Sequence, residues 1–521
     1  MGLEHRAIMI ALAIASFVGA IALQVAVGRF DFVPLSDYSE INIAIELPPG
    51  ASLQYTTQQA ERVASLARAH KEVLYTYTTI GSASGAGGVD NGSIYVKLKP
   101  KAERNISQEQ LAQQLRKEFA SVGGVTAYTY ASGFGGNQKQ VQLQITGPDN
   151  TVLNQLAEQF ADRVRRVHGA ADVGLSSRGQ KPELRVQIDR GVAGQLGVSI
   201  AQIAQALRPA FAGVDAGTWV DPAGESRYVR VRLAPESREN IADVARIPLV
   251  LPTAGADGPA VIPLGQVARF SRGTGPAQIT HLDRHRVITV GANIQGASLG
   301  EVTQGIARAT TDLRLPPGYR IIPGGQVESQ QEVFGNIFIA LGIAVMLMYL
   351  ILVVQFGSFL DPLAILVSLP LSLIGVVLAL IITRDSLNIM SLIGVILLMG
   401  IVAKNAILLI DFAKWGTERG MGRHEALVEA GRIRLRPILM TTLALIAGMI
   451  PVALGHGEGG DFRAPLGRAV IGGVITSTLL TLFVIPTVYD ILAGWRAALA
   501  RRLGKKPVPH RGAEPVPAPG D

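Results

Sequence analysis

Apolar residues are distributed along this chain in two ways. Six segments are apolar almost throughout: Ala7 to Val27, Gly335 to Val354, Leu363 to Ile382, Ile389 to Phe412, Ile438 to Leu454 and Ala469 to Leu492. A helix needs about 20 residues to cross a hydrocarbon core about 30 Å thick, so six transmembrane helices are predicted. Between the first two, from Gly28 to Glu332, apolar residues alternate or recur at helical spacing among glycines and charges. That pattern predicts a large folded excursion outside the membrane. The first apolar run exceeds the about 7 to 15 residues of a signal-peptide core and lacks a small-residue cleavage pattern, so it is expected to remain as an anchor.

Within the excursion, Ile41 to Leu47 alternates as a strand and Leu53 to Ala69 is helix-periodic. Val73 to Ile80 and Ser93 to Leu98 are strand-like, Ser107 to Phe119 is a helix opening on a capping serine, and Val125 to Tyr130 is again a strand. This is a β-α-β-β-α-β unit. A second copy begins with Val141 to Ile145, helix Thr151 to Val167 and strands near Val173 and at Leu184 to Ile188. It breaks off and resumes with Val287 to Ile294, helix Leu299 to Leu313 and strand Tyr319 to Ile322. The Gly- and Pro-rich stretch between, with a hairpin expected at Asp221-Pro222-Ala223-Gly224, is an inserted subdomain. The fold class is therefore a membrane α-helical bundle plus an α+β domain of ferredoxin-like subdomains. Its expected segments are 1–27 (first helix), 28–134, 135–188 with 276–332, 189–275 (insert), 333–494 (five helices) and 495–521 (a basic, Pro-rich tail).

Charge refines the topology. The net charge of +8 includes Arg496, Arg501, Arg502, Lys505, Lys506 and Arg511, directly after the last apolar run, where basic residues act as topology signals rather than a nucleic-acid surface. Lys414, Arg419, Arg423, Arg432, Arg434 and Arg436 crowd one connection, whereas His456 to Gly467 carries only Arg463. Both termini and the basic loop are thus expected in the cytoplasm, with the excursion in the periplasm of a bacterial inner-membrane protein. With no cysteine in the chain, disulfide frameworks, thiolate metal sites and cysteine nucleophiles are excluded.

One residue violates the membrane pattern. Lys404 sits in the middle of the fourth apolar run, where an ammonium costs about 2.5 to 3.5 kcal/mol on insertion scales. Two readings are open: a lysine that snorkels to the headgroups, and a lysine paired inside the bundle on an ion or proton path. Asp411 lies seven residues on, on the same face but about 10 Å along the axis, too far for a direct pair. No span carries an acid at mid-depth, so the partner is expected from another polypeptide or another half. Gly472, Gly473, Thr476 and Ser477 suit close helix packing on the last span.

Three motifs, Gln355-Phe356-Gly357-Ser358-Phe359-Leu360-Asp361-Pro362, Ala403-Lys404-Asn405-Ala406 within Gly400 to Leu409, and Arg434-Leu435-Arg436-Pro437-Ile438-Leu439-Met440-Thr441-Thr442, together with Phe32-Val33-Pro34 to Asp37, resemble the resistance-nodulation-division (RND) efflux transporters of the hydrophobe/amphiphile, AcrB-type branch. The resemblance extends over nearly the whole chain but matches only the carboxyl-terminal half of such a protein. It implies two porter subdomains with a docking subdomain inserted in the second. It also implies a trimer in the lipid bilayer, a periplasmic adaptor, an outer-membrane channel, and an amino-terminal half carrying two relay aspartates. The implied proton relay is Lys404, Arg434 and Thr441. The proton-motive force is then the energy source, with no cofactor and no metal, and the chain is a transporter rather than an enzyme.

For the substrate pocket the resemblance implies Tyr77, Thr79, Ser82, Ser84, Tyr128 and Tyr130, beside a switch loop containing Gly81, Gly85, Gly87 and Gly88. Ser82, Ser84 and Tyr77 stand where the best-known members have phenylalanine, so the pocket is expected to be more polar. For the two tyrosines of Val125 to Tyr130, core packing and ligand contact both remain open. Three rival functions are weighed. A heavy-metal RND exporter of Cu(I) or Ag(I) needs soft sulfur ligands, and no methionine occurs between Met9 and Met346. An ATP-driven pump needs a phosphate-binding loop, and Gly504-Lys505 lacks the rest of that motif. A non-pumping truncated half or assembly subunit is the third. The expected function is half of a proton-driven multidrug-type efflux permease exporting amphiphilic compounds from the periplasm or inner membrane.

Overall fold

The computed structural model describes residues 5–34, 36–81, 88–130, 139–177, 179–238, 240–255 and 258–502. The chain divides into one unit of Met1–Ser177 with Ile279–Asp521 and a second of Arg178–Gln278. The first unit opens with α1 (Arg6–Val27), followed by β1 (Glu40–Glu46), α2 (Leu53–Arg68), β2 (Val73–Ile80), β3 (Asn91–Leu98), α3 (Gln108–Phe119) and β4 (Thr126–Tyr130). The four strands form one antiparallel sheet in the order β2-β3-β1-β4. Ile41, Ile43 and Ile45 alternate along β1 onto the helix side, where they are fully buried with Val63, Leu111, Leu115 and Phe119. Helix α3 starts in a capping box that Ser107 closes with Gln110.

The second sheet of this unit contains β5 (Val141–Gly147), then α4 (Asn150–Arg165) and β6 (Ala170–Leu175). The chain then leaves into the second unit through β7 (Gln180–Ile188), α5 (Arg190–Gln195), α6 (Ile200–Phe211), β8 (Val214–Val220), β9 (Ser226–Val231), α7 (Ile241–Ala245), β10 (Pro248–Gly255), β11 (Gly258–Pro263) and β12 (Ala268–Pro276). It returns with β13 (Thr280–Leu282), β14 (His285–Ile294), α8 (Leu299–Thr310) and β15 (Arg320–Gly325). Strand β14 is flanked on one side by β5, itself next to β15, and on the other by β6 and β13 in succession.

The insertion is wider than the 189–275 read from the sequence. Leu184 to Ile188, expected in the second β-α-β-β-α-β repeat, belongs to β7, which pairs from Ile188↔Ala268 to Gln180↔Pro276 with β12 inside the inserted unit. Period-two alternation identifies a strand but not its partner. The hairpin at Asp221 forms, with β8 paired to β9 around it.

Six further helices follow in the first unit: α9 (Gln326–Phe356), α10 (Asp361–Leu366) leading into α11 (Ser368–Ile382), α12 (Ile389–Glu418), α13 (Arg423–Leu454) and α14 (Gly460–Arg502). With α1, and with α10 and α11 counted together, six helical segments among the described residues are long and apolar enough to cross a membrane. Helices α11, α12 and α14 bury about half of their apolar windows, whereas α1, α9 and α13 leave most of theirs exposed. The inner three meet through glycines. A Cβ at Gly472 would lie 2.4 Å from Ala379 Cβ, and one at Gly473 would lie 2.1 Å from Leu398 Cδ2, so packing explains both residues. At the opposite end of the bundle Asp490 of α14 pairs with Arg6 at 2.6 Å and Arg423 at 3.6 Å.

Asp37, between α1 and β1, is a further fixed point. Burial alone would raise its pKa, but hydrogen bonds from Arg104 and from the backbone N–H groups of Gln108 and Ser39 hold it below the usual 3.8. Both side chains of the Asp37–Arg104 pair are at least nine-tenths buried. Removing one partner of a buried pair strands the other charge, so Asp37→Ala is expected to lower unfolding stability by about 3 to 5 kcal/mol. Because the folded pKa is depressed, the carboxylate's stabilisation is present above pH 3.8 and disappears as pH falls through the lower folded value. Unfolding of wild type and variant followed against pH checks this, and equal stability at neutral pH would contradict it.

Candidate functional site

Lys404 lies at the middle of α12, whose start is fixed by Asn388. The Asn388 side chain accepts from the N–H groups of Met390 at 3.0 Å and Ser391 at 3.1 Å, while the Ser391 hydroxyl accepts from Asn388 N at 2.8 Å. One face of the helix is buried through Leu398, Val402, Ala403, Ala406 and Leu409. The other carries Ile393, Ile396, Leu397, Gly400, Lys404 and Asp411, all exposed. Lys404 therefore stands on a stripe that this chain's own helices leave uncovered.

Arg434 of α13 reaches toward α12, with its guanidinium carbon 5.1 Å from the centre of the Phe412 ring. Its Nε is buried without a hydrogen-bond partner. Among the described residues no carboxylate pairs with either cation. Pro437, one turn beyond Arg434 in the helix, has no N–H to donate to Ile433 O. The Thr441 hydroxyl donates to its own helix at Ile438 O, 3.0 Å away, and is not drawn toward Arg434. Its neighbour Thr442 is buried and hydrogen-bonds Thr478 at 3.1 Å. The structure thus brings Arg434 against the helix of Lys404, while the Thr441 hydroxyl is bonded within its own helix.

Tyr77, Thr79, Tyr128 and Tyr130, the described residues of the expected pocket, share one face of the first sheet, opposite α2 and α3. Register places Tyr77 opposite Tyr95, Tyr95 opposite Asn42, and Asn42 opposite Tyr130. The next row is Thr79, Ser93, Ala44 and Tyr128. Tyr77 is 66% exposed and Tyr130 half-buried, whereas Tyr128 is only 5% exposed. The rings of Tyr128 and Tyr130 meet edge to face at 5.3 Å and 77°, the Tyr128 hydroxyl donates to Glu46, and Lys139 Nζ lies 4.5 Å from the Tyr128 ring centre. Burial raises the pKa of both phenols and lowers that of Lys139, which the nearby Glu46 and Asp172 carboxylates partly offset. Tyr95 is pushed up to about 12 by burial and its hydrogen bond to Glu40. Gly81 and Gly88 flank the expected switch loop; Ser82, Ser84, Gly85 and Gly87 lie outside the described residues.

The edge strand β4 of this sheet meets the second sheet directly. Asn293 Nδ2 donates to Thr129 O at 3.0 Å and to Asp172 at 2.9 Å, and Arg116 pairs with Asp172 at 2.9 Å. Tyr130 also lines a cavity of about 490 Å³ with Asp31, Glu109, Arg116, Asn293 and Arg384. Burial raises the pKa of Glu109 within it. Glu46, Tyr95 and Lys139 were missed in the sequence. Their signal lay in register: Glu46 follows Asn42 and Ala44 along β1, opposite in facing to the buried isoleucines.

Residues 1–493 match the sequence model of the AcrB/AcrD/AcrF family. The chain belongs to this family. Two solved structures similar to it are crystal forms II and I of a heavy metal efflux pump, each 27% identical with a TM-score of 0.77. The likeness covers 93% and 94% of this chain and 50% of theirs, so the chain spans half the length of those relatives. The family is one of transporters, and the uncovered helix stripe and the tyrosine-bearing sheet face belong to an RND permease fold.

Proposed function

We propose that this chain works as one half of a proton-coupled RND efflux permease, its membrane cations facing carboxylates on a second six-helix half. The observation that carries this reading is Lys404, a mid-helix cation on an uncovered stripe of α12, with the unpaired Arg434 Nε on the adjoining helix. A cation beside a buried carboxylate favours the charged acid while desolvation favours the neutral one, which poises the acid to gain and lose protons. A trimer in the inner membrane, with a periplasmic adaptor and an outer-membrane channel, is the assembly this reading requires.

Amphiphilic molecules are the substrate class this half fits best, because its open sheet face presents tyrosine rings with polar neighbours. The tyrosines then divide by environment. Tyr128→Ala removes a buried, hydrogen-bonded ring and is expected to cost about 3 to 5 kcal/mol of stability. Tyr130→Ala and Tyr77→Ala are expected to change export unevenly among substrates, since a ring contact is worth about 0.5 to 1.5 kcal/mol beyond its area. Export profiles normalised to expression check this; a uniform loss across substrates would assign Tyr77 and Tyr130 to packing.

Heavy-metal export is the second reading, favoured by the likeness to the heavy metal efflux pump. This half has no cysteine and no methionine between Met9 and Met346, so a metal held on its large domain would need carboxylate or imidazole ligands rather than sulfur. The deciding experiment loads vesicles containing the chain and an RND amino half with a fluorescent amphiphile or with Zn(II), Cu(I) or Ag(I). Gradient-dependent export of the dye alone supports the first reading, and of metal alone the second.

A further inference from the structure

The segment between α1 and β1 does more than connect them. Near its start, Phe30 pairs with Leu387 in the turn before α12: Asp31 N donates to Leu387 O at 3.1 Å, Leu387 N to Arg29 O at 2.8 Å, and Ile389 N to Phe32 O at 3.2 Å. The same residues hold the first turn of α8, because Asp31 Oδ1 accepts from Leu299 N at 2.7 Å and Phe30 O accepts from Gly300 N at 3.0 Å. Ser386 also hydrogen-bonds the Asp31 carboxylate.

A few residues later the arrangement repeats with different partners. Asp37 Oδ2 accepts from Gln108 N, at the start of α3, at 2.9 Å, and Tyr38 N donates to the Gln108 side chain at 2.9 Å. Asp37 O accepts from Gly459 N, just before α14, at 2.8 Å, and Lys101 pairs with Asp461 of α14 at 2.6 Å. Each aspartate therefore ties the first turn of one surface helix to the turn that begins one inner membrane helix.

We propose that this linker is a two-pronged clamp, with Asp31 coupling α12 to α8 and the second sheet, and Asp37 coupling α14 to α3 and the first sheet. Displacement of the helix bearing Lys404 then reaches one αβ subdomain without passing through the other. Asp31 and Asp37 are positioning residues. The use of the clamp in transport rests on the proposed function, but the coupling itself can be read without transport.

The test is hydrogen–deuterium exchange on the full chain in lipid nanodiscs. Asn388→Ala removes the side-chain cap of α12 and is expected to speed exchange in its first turn about fivefold. The clamp predicts that Leu299 to Thr303 of α8 speeds up as well, while Gln108 to Leu111 of α3 does not. In an Asp31→Ala background, where only the Phe30 O–Gly300 N bond still ties the linker to α8, Asn388→Ala should accelerate α8 much less; Asp31→Asn, which keeps an oxygen acceptor for Leu299 N, should restore the response. Unchanged α8 exchange in the wild-type linker, equal acceleration at α3, or an undiminished response in Asp31→Ala would each overturn the clamp. Should Asn388→Ala fail to fold, Ser391→Ala, which removes only the reciprocal arm of the cap, is read in the same way. A chain that shows this pattern but exports nothing in a complete assembly loses the transport reading and keeps the clamp.

Discussion

Lys404→Met is expected to abolish proton-coupled export in vesicles that hold this chain with an RND amino half, while leaving the chain folded and inserted. Folding is spared because Lys404 lies on the exposed stripe of α12 and supports none of the buried contacts of Leu398, Val402 or Ala406. Removing the ammonium also relieves an insertion cost of about 2.5 to 3.5 kcal/mol. Coupling is lost because an acid without its cation stays protonated at depth, so it no longer cycles. Each proton falling through 100 mV supplies about 2.3 kcal/mol, and without that cycling none of it reaches the conformational change. Gradient-driven dye uptake and intrinsic thermal stability are measured side by side. Wild-type export by a well-expressed Lys404→Met chain would remove Lys404 from the relay.

The fold was legible where burial sets a period. Ile41, Ile43 and Ile45 announce β1 by alternation, and the six apolar runs announce their helices by length. Pairing was less legible: Leu184 to Ile188 alternates as a strand should, yet its partner lies in β12, eighty or more positions along the chain. Lys404 was legible as a candidate because one charge in an apolar run is conspicuous. Which way it faces was not, since α12 is apolar on its buried and its uncovered side alike, and the packing of α11, α13 and α14 distinguishes them. Thr441 shows the reverse. Its spacing of seven from Arg434 permits a shared face, but a hydroxyl in a helix has a ready acceptor three residues back, and here it uses Ile438 O.

The 521-residue polypeptide alone is expected not to pump. Lys404 and the Arg434 Nε have no carboxylate partner among its described residues, and further copies bring only the same cations, which repel one another at short range in a low dielectric. The apolar surfaces of α1, α9 and α13 are available to lipid or to other helices, but an apolar contact supplies no acid to titrate. Substrate enclosure is expected to fail as well, because the face bearing Tyr77 is open in this chain. Under the proposed function one remedy meets both deficits, a second half that brings carboxylates to the stripe on α12 and a wall to the sheet face. Proton-gradient-dependent dye export is therefore expected from vesicles containing the chain with an RND amino half and not from vesicles containing the chain alone. Robust export by the lone chain would mean that its cations act without a membrane acid, and the relay would have to be sought among other groups.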